Sequence, residues 1–429
     1  MSLQQELAGA VGAEHVEHTE HGFAVMPGSP AEVAEVIRRA AHLGAAVHPV
    51  GAGGRPTRVD KDPRGDRARV FVSTARLDQV LQLDEQSLLV HAQAGLSGLA
   101  LERILAPRGL SIGDYPPVVL MSSLGGIFAV RTPGKSCARQ GLFEVAVVGV
   151  SAVLADGRTV HTRVAPRRST GPDLARALCG SEGTIGFITS VVLRIHARPE
   201  SRLVAAYVLP SVDAAISAVY LSLREEAAPS GLRIYDTAEA ARHFHRSALL
   251  GGSAELYGPD GGLVLPPGHA LFCAATAGPT DLAACDRDLI TSAVIAEGGA
   301  QTDQALADVW WRRTHAGEPT PAPAPALQIM ATPSKLRAVY HAVLDDAART
   351  GAVARAHISR FDPDGAVVFF SIDRDGHPAD DTTIASGERA AQAAGGWQLG
   401  ARATRLDPYL RALRDALDPE RIMNPGTLA

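Results

Sequence analysis

The chain has 429 residues, a hydrophobic share of 46%, a charged share of 20% and a formal net charge of −5 at pH 7. That length gives room for two or three domains with ample core, and the acid excess excludes the global basic surface that holds a nucleic-acid backbone. No apolar run is long enough to span a bilayer, the opening Met1-Ser2-Leu3-Gln4-Gln5-Glu6 lacks a basic stretch followed by an apolar one, and Cys137, Cys179, Cys273 and Cys285 show neither CxxC nor Cys/His metal spacing, so a cytoplasmic protein with free thiols and no metal site is expected.

After a short segment (residues 1–26), Pro27-Gly28-Ser29-Pro30 opens a helix whose Val33, Val36, Ile37, Ala40 and Ala41 form one apolar stripe, closed by Gly44. Residues 46–50 read as a strand running into the bend Pro49-Val50-Gly51-Ala52-Gly53-Gly54. Residues 70–73 and 88–92 read as further strands and 99–105 as a helix before Gly109, a βα alternation that predicts a small parallel sheet. From residue 143 the texture changes. Residues 144–153 form a long β-branched run, Asp156-Gly157 marks a hairpin turn, and 185–195 read as a strand pair, so an antiparallel sheet is expected there. A boundary falls at Arg198-Pro199-Glu200, and residues 200–375 alternate helix and strand signals as a second, substrate-covering domain. Alternating prolines make residues 319–325 a polyproline-like connector. Residues 376–429 close with a helix at 409–417 and Asp418-Pro419 leading to Asn424-Pro425-Gly426.

A second glycine bend, Gly180-Ser181-Glu182-Gly183-Thr184-Ile185-Gly186, precedes the 185–195 run. Glycine removes the Cβ that keeps phosphates away from backbone N–H groups, and it permits positive φ. Neither bend has the spacing of a triphosphate-binding loop or of a Rossmann turn. Together they predict two walls of a groove for a long, phosphate-bearing ligand.

These residues, with those between them, resemble the FAD-binding PCMH-type superfamily that includes vanillyl-alcohol oxidase and glycolate oxidase, and most closely the alkyldihydroxyacetonephosphate synthases. The resemblance runs from about residue 27 to the end and is densest between 110 and 198. It implies an α+β fold: a two-lobed FAD-binding domain (27–199), an α/β cap domain (200–375) and a C-terminal segment (376–429) returning to the flavin. It also implies four flavin segments. The first comprises Pro49, Val50, Gly51, Ala52, Gly53, Gly54 and Arg55; the second, Pro117, Val118, Ser122, Ser123, Gly125 and Gly126. The third is Ala129, Val130, Arg131 and Thr132, and the fourth is Glu182, Gly183, Thr184, Ile185, Gly186 and Ile188. Some members tether flavin through a His in the first segment; this chain has no His or Cys there, so FAD is expected to be non-covalent.

The departures bear on activity. Where the ether-lipid enzymes carry a Tyr, Gly365-Ala366-Val367-Val368-Phe369-Phe370 places Phe369, and where they carry a run of histidines this chain has Gly395-Gly396-Trp397-Gln398. A phenyl ring neither transfers a proton nor donates a hydrogen bond. The strand Gly231-Leu232-Arg233-Ile234-Tyr235 retains the family's arginine, suited to a carboxylate or phosphate. Arg233, His357 and Tyr235 are the candidate catalytic residues, and Arg233, Arg312, Phe369 and Trp397 the candidate substrate contacts. Tyr235 reads equally as a core aromatic, and His243 with His245 as solvated. Asp173 reads as a helix cap.

The expected activity is FAD-dependent oxidation of a small or medium organic substrate, such as a hydroxy acid, by hydride transfer to flavin N5. Alkyl transfer, a redox-neutral reaction and a flavin-binding protein without turnover are the alternatives. The expected partner is a small molecule, with a homodimer left open.

Overall fold

The computed structural model describes residues 2–51, 62, 64–113, 115, 117–132, 137–141, 143–162, 164, 173–244, 257–259, 261–316, 326–399 and 408–427. The fold is α+β and is built on three main sheets. The connector at 319–325, His245 and the residues Ala52, Gly53, Gly54 and Arg55 lie outside the described residues.

The first sheet has strand order Val16–Thr19, Gly22–Val25, Arg69–Ser73, Ala46–Val50, and the last three are parallel. The predicted helix is Pro30–His42: Ser29 accepts a hydrogen bond from Glu32 N, proline occupies its first turn, and Val33, Val36, Ile37 and Ala40 are buried. Together with Leu3–Val11, whose Ser2 and Gln5 form a capping box, it covers the sheet.

The second sheet is wholly antiparallel, in the order Val80–Asp84, Leu89–Gln93, Gly186–Arg194, Val147–Leu154, Thr159–His161. Three expectations are corrected here. Residues 88–92 belong to this sheet and not to the parallel unit, because their alternating pattern needs only one buried face. Residues 144–153 start with a helical turn, Phe143–Ala146, before the strand. Residues 185–195 form one long strand with a register shift between Ile188 and Ser190, where a strand pair was read. The Asp156-Gly157 turn forms as expected, with Gly157 at φ +77°.

The third sheet begins at Ser201–Leu209. Its order is Ala300–Gln301, Ser201–Leu209, Ala270–Gly278, Gly231–Tyr235, Val353–Asp362, Gly365–Arg374, Leu327–Ala331, Trp397–Gln398, all antiparallel. Helices Val212–Arg224, Thr280–Ala296, Leu336–Arg349 and Asp381–Ala393 supply the apolar partners of one face, where Ile234, Ile358, Val368 and Ile329 are buried. Successive side chains on a strand alternate between faces. Arg233 and Tyr235, with their cross-strand partners Ser359, His357 and Phe369, therefore share the opposite face.

The closing helix is Pro408–Leu417, and the chain after it packs back on the first sheet, where Met423 bridges to Val47 in parallel. No helix among the described residues is long and apolar enough to cross a membrane.

Candidate functional site

Two constellations stand out, a groove and a polar patch. The groove is lined by Pro49, Val50, Gly51, Thr74, Ser123, Gly125, Gly126, Ala129, Val130, Glu182, Gly183, Gly186, Phe187 and Ile188. All four segments singled out in the sequence contribute to it. Its glycines allow close approach to three neighbours, Ser123, Ala94 and Pro49. A Cβ on Gly51 or Gly126 would stand 3.0 or 2.9 Å from Ser123 Oγ. One on Gly125 would come 2.8 Å from Ala94 Cβ, and one on Gly183 would come 2.8 Å from Pro49 Cγ. Gly183, at φ +77°, thus lets the second bend close onto the first strand, beyond any role toward a ligand.

Several residues of the four segments are not among the groove-lining residues. Thr184 Oγ1 donates to Ser181 O at 2.6 Å, which pins the bend, and Ile185 is buried in the core of the second sheet. Ser122 O accepts from Gly98 N at 3.2 Å, and Thr132 N donates to Ile127 O at 3.0 Å. Arg131 is exposed at φ +54°; its Nη2 donates to Glu144 Oε1 at 2.7 Å, and Glu144 itself is buried. Pro117 and Val118 start the short helix Pro117–Leu120. Cys137 starts another, Cys137–Gln140, which packs on the strand Val353–Asp362. Asp173 caps Leu174–Leu178 by accepting from Ala175 N, as read.

Phe187 lies inside the fourth segment, Glu182 to Ile188, whereas Thr74 is a groove residue outside all four segments. Thr74 stands one residue beyond the strand Arg69–Ser73, which runs parallel to Ala46–Val50 and brings it level with Gly51, a placement that strand register alone decides. Among the described residues its buried Oγ1 has no hydrogen-bond partner, an orphan that a bound polar group would satisfy.

The polar patch lies on the third sheet's other face, on which the helices Thr237–His243 and Gln304–Trp311 pack. Arg233 Nη1 donates to Tyr235 Oη at 3.3 Å, and its guanidinium carbon lies 5.8 Å from the Tyr235 ring centre. Among the described residues no carboxylate forms an ion pair with this half-buried guanidinium. His357 stacks on Phe369 with ring centres 4.7 Å apart and an interplanar angle of 7°. Its Nδ1 is 3.6 Å from Glu239 Oε1. His243 packs on Tyr235 at 4.8 Å. It is buried, with Nε2 unpartnered among the described residues, so the solvated reading of His243 is corrected.

Burial, then the charges of Arg233 and Arg360, hold the His357 imidazole well below its ordinary range. Burial, Arg233 and Arg313 do the same to His243. Burial raises the Glu239 carboxyl, against the pull of Arg242 and Arg355. Arg360 would by strict alternation face the helices. A bulge between Ser359 and Asp362, with Arg360 at φ +58°, carries its guanidinium to 5.0 Å from the Phe369 ring.

Of the Arg312–Arg313 pair, Arg313 is the buried member and the one whose charge reaches His243. Tyr235 is fully buried and its hydroxyl titrates far above its usual range, through desolvation, which suits a support for Arg233. Trp397 does not fill the space beside Arg233. It pairs with Met330 at the sheet edge and is 73% exposed. Four strand spacings separate it from the Arg233 strand, roughly 19 Å.

Residues 22–163 match the FAD binding domain family. An alkyldihydroxyacetonephosphate synthase of Caenorhabditis elegans is 31% identical over 213 residues, 49% of this chain and 36% of that protein. An uncharacterized FAD-linked oxidoreductase of Escherichia coli strain K12 is 31% identical over 176 residues, 41% of this chain and 36% of that protein. The alignment thus spans about a third of each of these relatives. Among solved structures, an alkyldihydroxyacetonephosphate synthase superposes with a TM-score of 0.74 at 19% identity, covering 99% of this chain and 84% of the other. A 4-ethylphenol oxidase of Gulosibacter chungangensis, solved with isoeugenol, gives 0.71 at 15% identity, with 100% and 96% covered.

Proposed function

From an FAD binding domain at residues 22–163, set in the fold of PCMH-type flavoproteins, we propose an FAD-dependent oxidoreductase that oxidises a small acidic substrate, a 2-hydroxy acid or a hydroxylated phosphate ester. The groove fits the cofactor on its own terms. Its walls meet at glycines where an added Cβ would press the neighbouring wall out of place, and the buried Thr74 hydroxyl has no partner among the described residues. Pro49, Gly51, Ser123, Gly126 and Glu182–Gly183 would hold the FAD. The first segment, Pro49 to Arg55, has no His or Cys, so the bond is non-covalent and acid precipitation should leave the flavin in solution. When bound, FAD supplies the acceptor at N5 for the hydride leaving the substrate carbon.

The observation that carries the substrate class is Arg233, a half-buried cation with no carboxylate partner among the described residues. A desolvated guanidinium is stabilised by a bound carboxylate or phosphate. His357 is kept neutral, so its imidazole is ready to take the hydroxyl proton as the substrate C=O forms. Tyr235 orients Arg233 and Phe369 orients His357 by stacking. Alkyl transfer, the activity named for the synthase relatives, finds less support, because Phe369 has no proton to handle.

The test is anaerobic bleaching of the flavin by candidate acids in wild type and Arg233→Ala. Losing an Arg–anion contact costs ~1.5–3 kcal/mol, about 10- to 150-fold in turnover per substrate concentration, with FAD content unchanged. Equal bleaching by the variant overturns the assignment of Arg233, and alkyl transfer by the wild type overturns the reaction.

A further inference from the structure

Glu182 and Gly183 take φ +49° and +77° in succession. Gly183 adopts that region freely, whereas Glu182 carries a Cβ and is strained there. Its peptide is gripped from two sides. Glu182 N donates to Ala129 O at 2.9 Å, and Glu182 O accepts from Asn424 Nδ2 at 2.6 Å, a bond spanning 242 residues of sequence. Asn424 is tied equally firmly to the opposite wall. Its backbone N donates to Val47 O at 2.7 Å, and its Oδ1 lies 3.0 Å from His48 Nδ1. The segment before it is braced by the buried Asp418, whose carboxylate accepts from Ile422 N at 3.0 Å and Met423 N at 2.8 Å.

We infer that Asn424 is a positioning residue for the FAD groove, a latch by which the C-terminal segment fixes the two glycine bends at their binding separation. It touches the wall and is not among the groove-lining residues. This rests on the FAD reading above and assigns to the Asn424-Pro425-Gly426 ending a role in cofactor retention. The carboxamide suits the task because its N–H holds the Glu182 carbonyl while its oxygen faces His48. An Asp at 424 would lose the donor and set two oxygens against each other.

The experiment is FAD titration of apoprotein, followed by flavin fluorescence, in a cycle of wild type, Asn424→Ala, Glu182→Gly and the double variant. Asn424→Ala should weaken FAD binding roughly tenfold, and Asn424→Asp by at least as much. In the Glu182→Gly background, where glycine holds positive φ unaided, Asn424→Ala should cost clearly less. A merely structural Asn424 would lower the apoprotein's melting temperature equally in both backgrounds and show no such coupling in FAD affinity. Wild-type FAD affinity in Asn424→Ala, or equal losses in the two backgrounds, would overturn the latch. A wild-type apoprotein that takes up no FAD would instead refute the cofactor reading.

Discussion

The single residue with the clearest physical signature is His243, an imidazole buried against Tyr235 and Phe244 with one ring nitrogen unpartnered among the described residues. Its pKa in the fold lies well below the unfolded value near 6.5, with burial the main cause and Arg233 and Arg313 adding to it. The sign follows directly. Below that unfolded value the unfolded chain binds a proton that the folded chain refuses, so stability falls as pH falls through 6.5, by up to ~1.4 kcal/mol per pH unit. His357 acts in the same direction. His243→Phe removes the group and keeps an aromatic body, so its denaturant midpoint should drop less than that of the wild type between pH 6.5 and 5. An unchanged slope would show that His243 already titrates normally. Its burial was hidden in the sequence, because His243 and His245 read as a pair on a solvated helix, whereas Asp236 caps Thr237–His243 and turns His243 inward.

At the scale of elements, the two glycine bends act as one unit because Gly183 lies against Pro49. Gly183→Val would place a branched side chain where a Cβ alone meets Pro49 Cγ at 2.8 Å, at a φ that L-residues disfavour by ~1–2 kcal/mol. FAD content of the purified protein should fall well before the fold is lost, and full occupancy would show that the bend is only a turn. This pairing explains how much of the groove was legible. Glycines next to β-branched runs mark it in the sequence, since no other residue type permits the approach. Thr74 and Asn424 were not readable as groove and latch, because their roles depend on register between strands far apart in the chain. Likewise the strands Val80–Asp84 and Gly22–Val25 are too short to stand out, and the pairing of the sheets decides where they sit. Arg360 escaped notice for a related reason, since strand alternation predicts the wrong face until the bulge is known.

Across the whole molecule, the arrangement joins a glycine-walled groove in the first two sheets to a third sheet that carries four helices on one face and, on the other, Arg233, His357 and Phe369 beside two shorter helices. The helix Cys137–Gln140 packs on the strand carrying His357, which brings the two halves into contact. The α+β architecture and the FAD binding domain were legible because several glycine-rich segments occur in order along the chain. The substrate side was less so, because a patch assembled from three strands and a helix leaves only isolated residues in the sequence, and Trp397 fell on the far edge of the sheet. The most direct measurement is anaerobic mixing of the FAD-loaded protein with a panel of 2-hydroxy acids, hydroxylated phosphate esters and uncharged alcohols of matched size, followed by flavin absorption. Bleaching by acidic members, absent with the uncharged alcohols and lost on Arg233→Ala, is the result expected here. Bleaching by the uncharged alcohols alone, or by no member of the panel, would contradict the account.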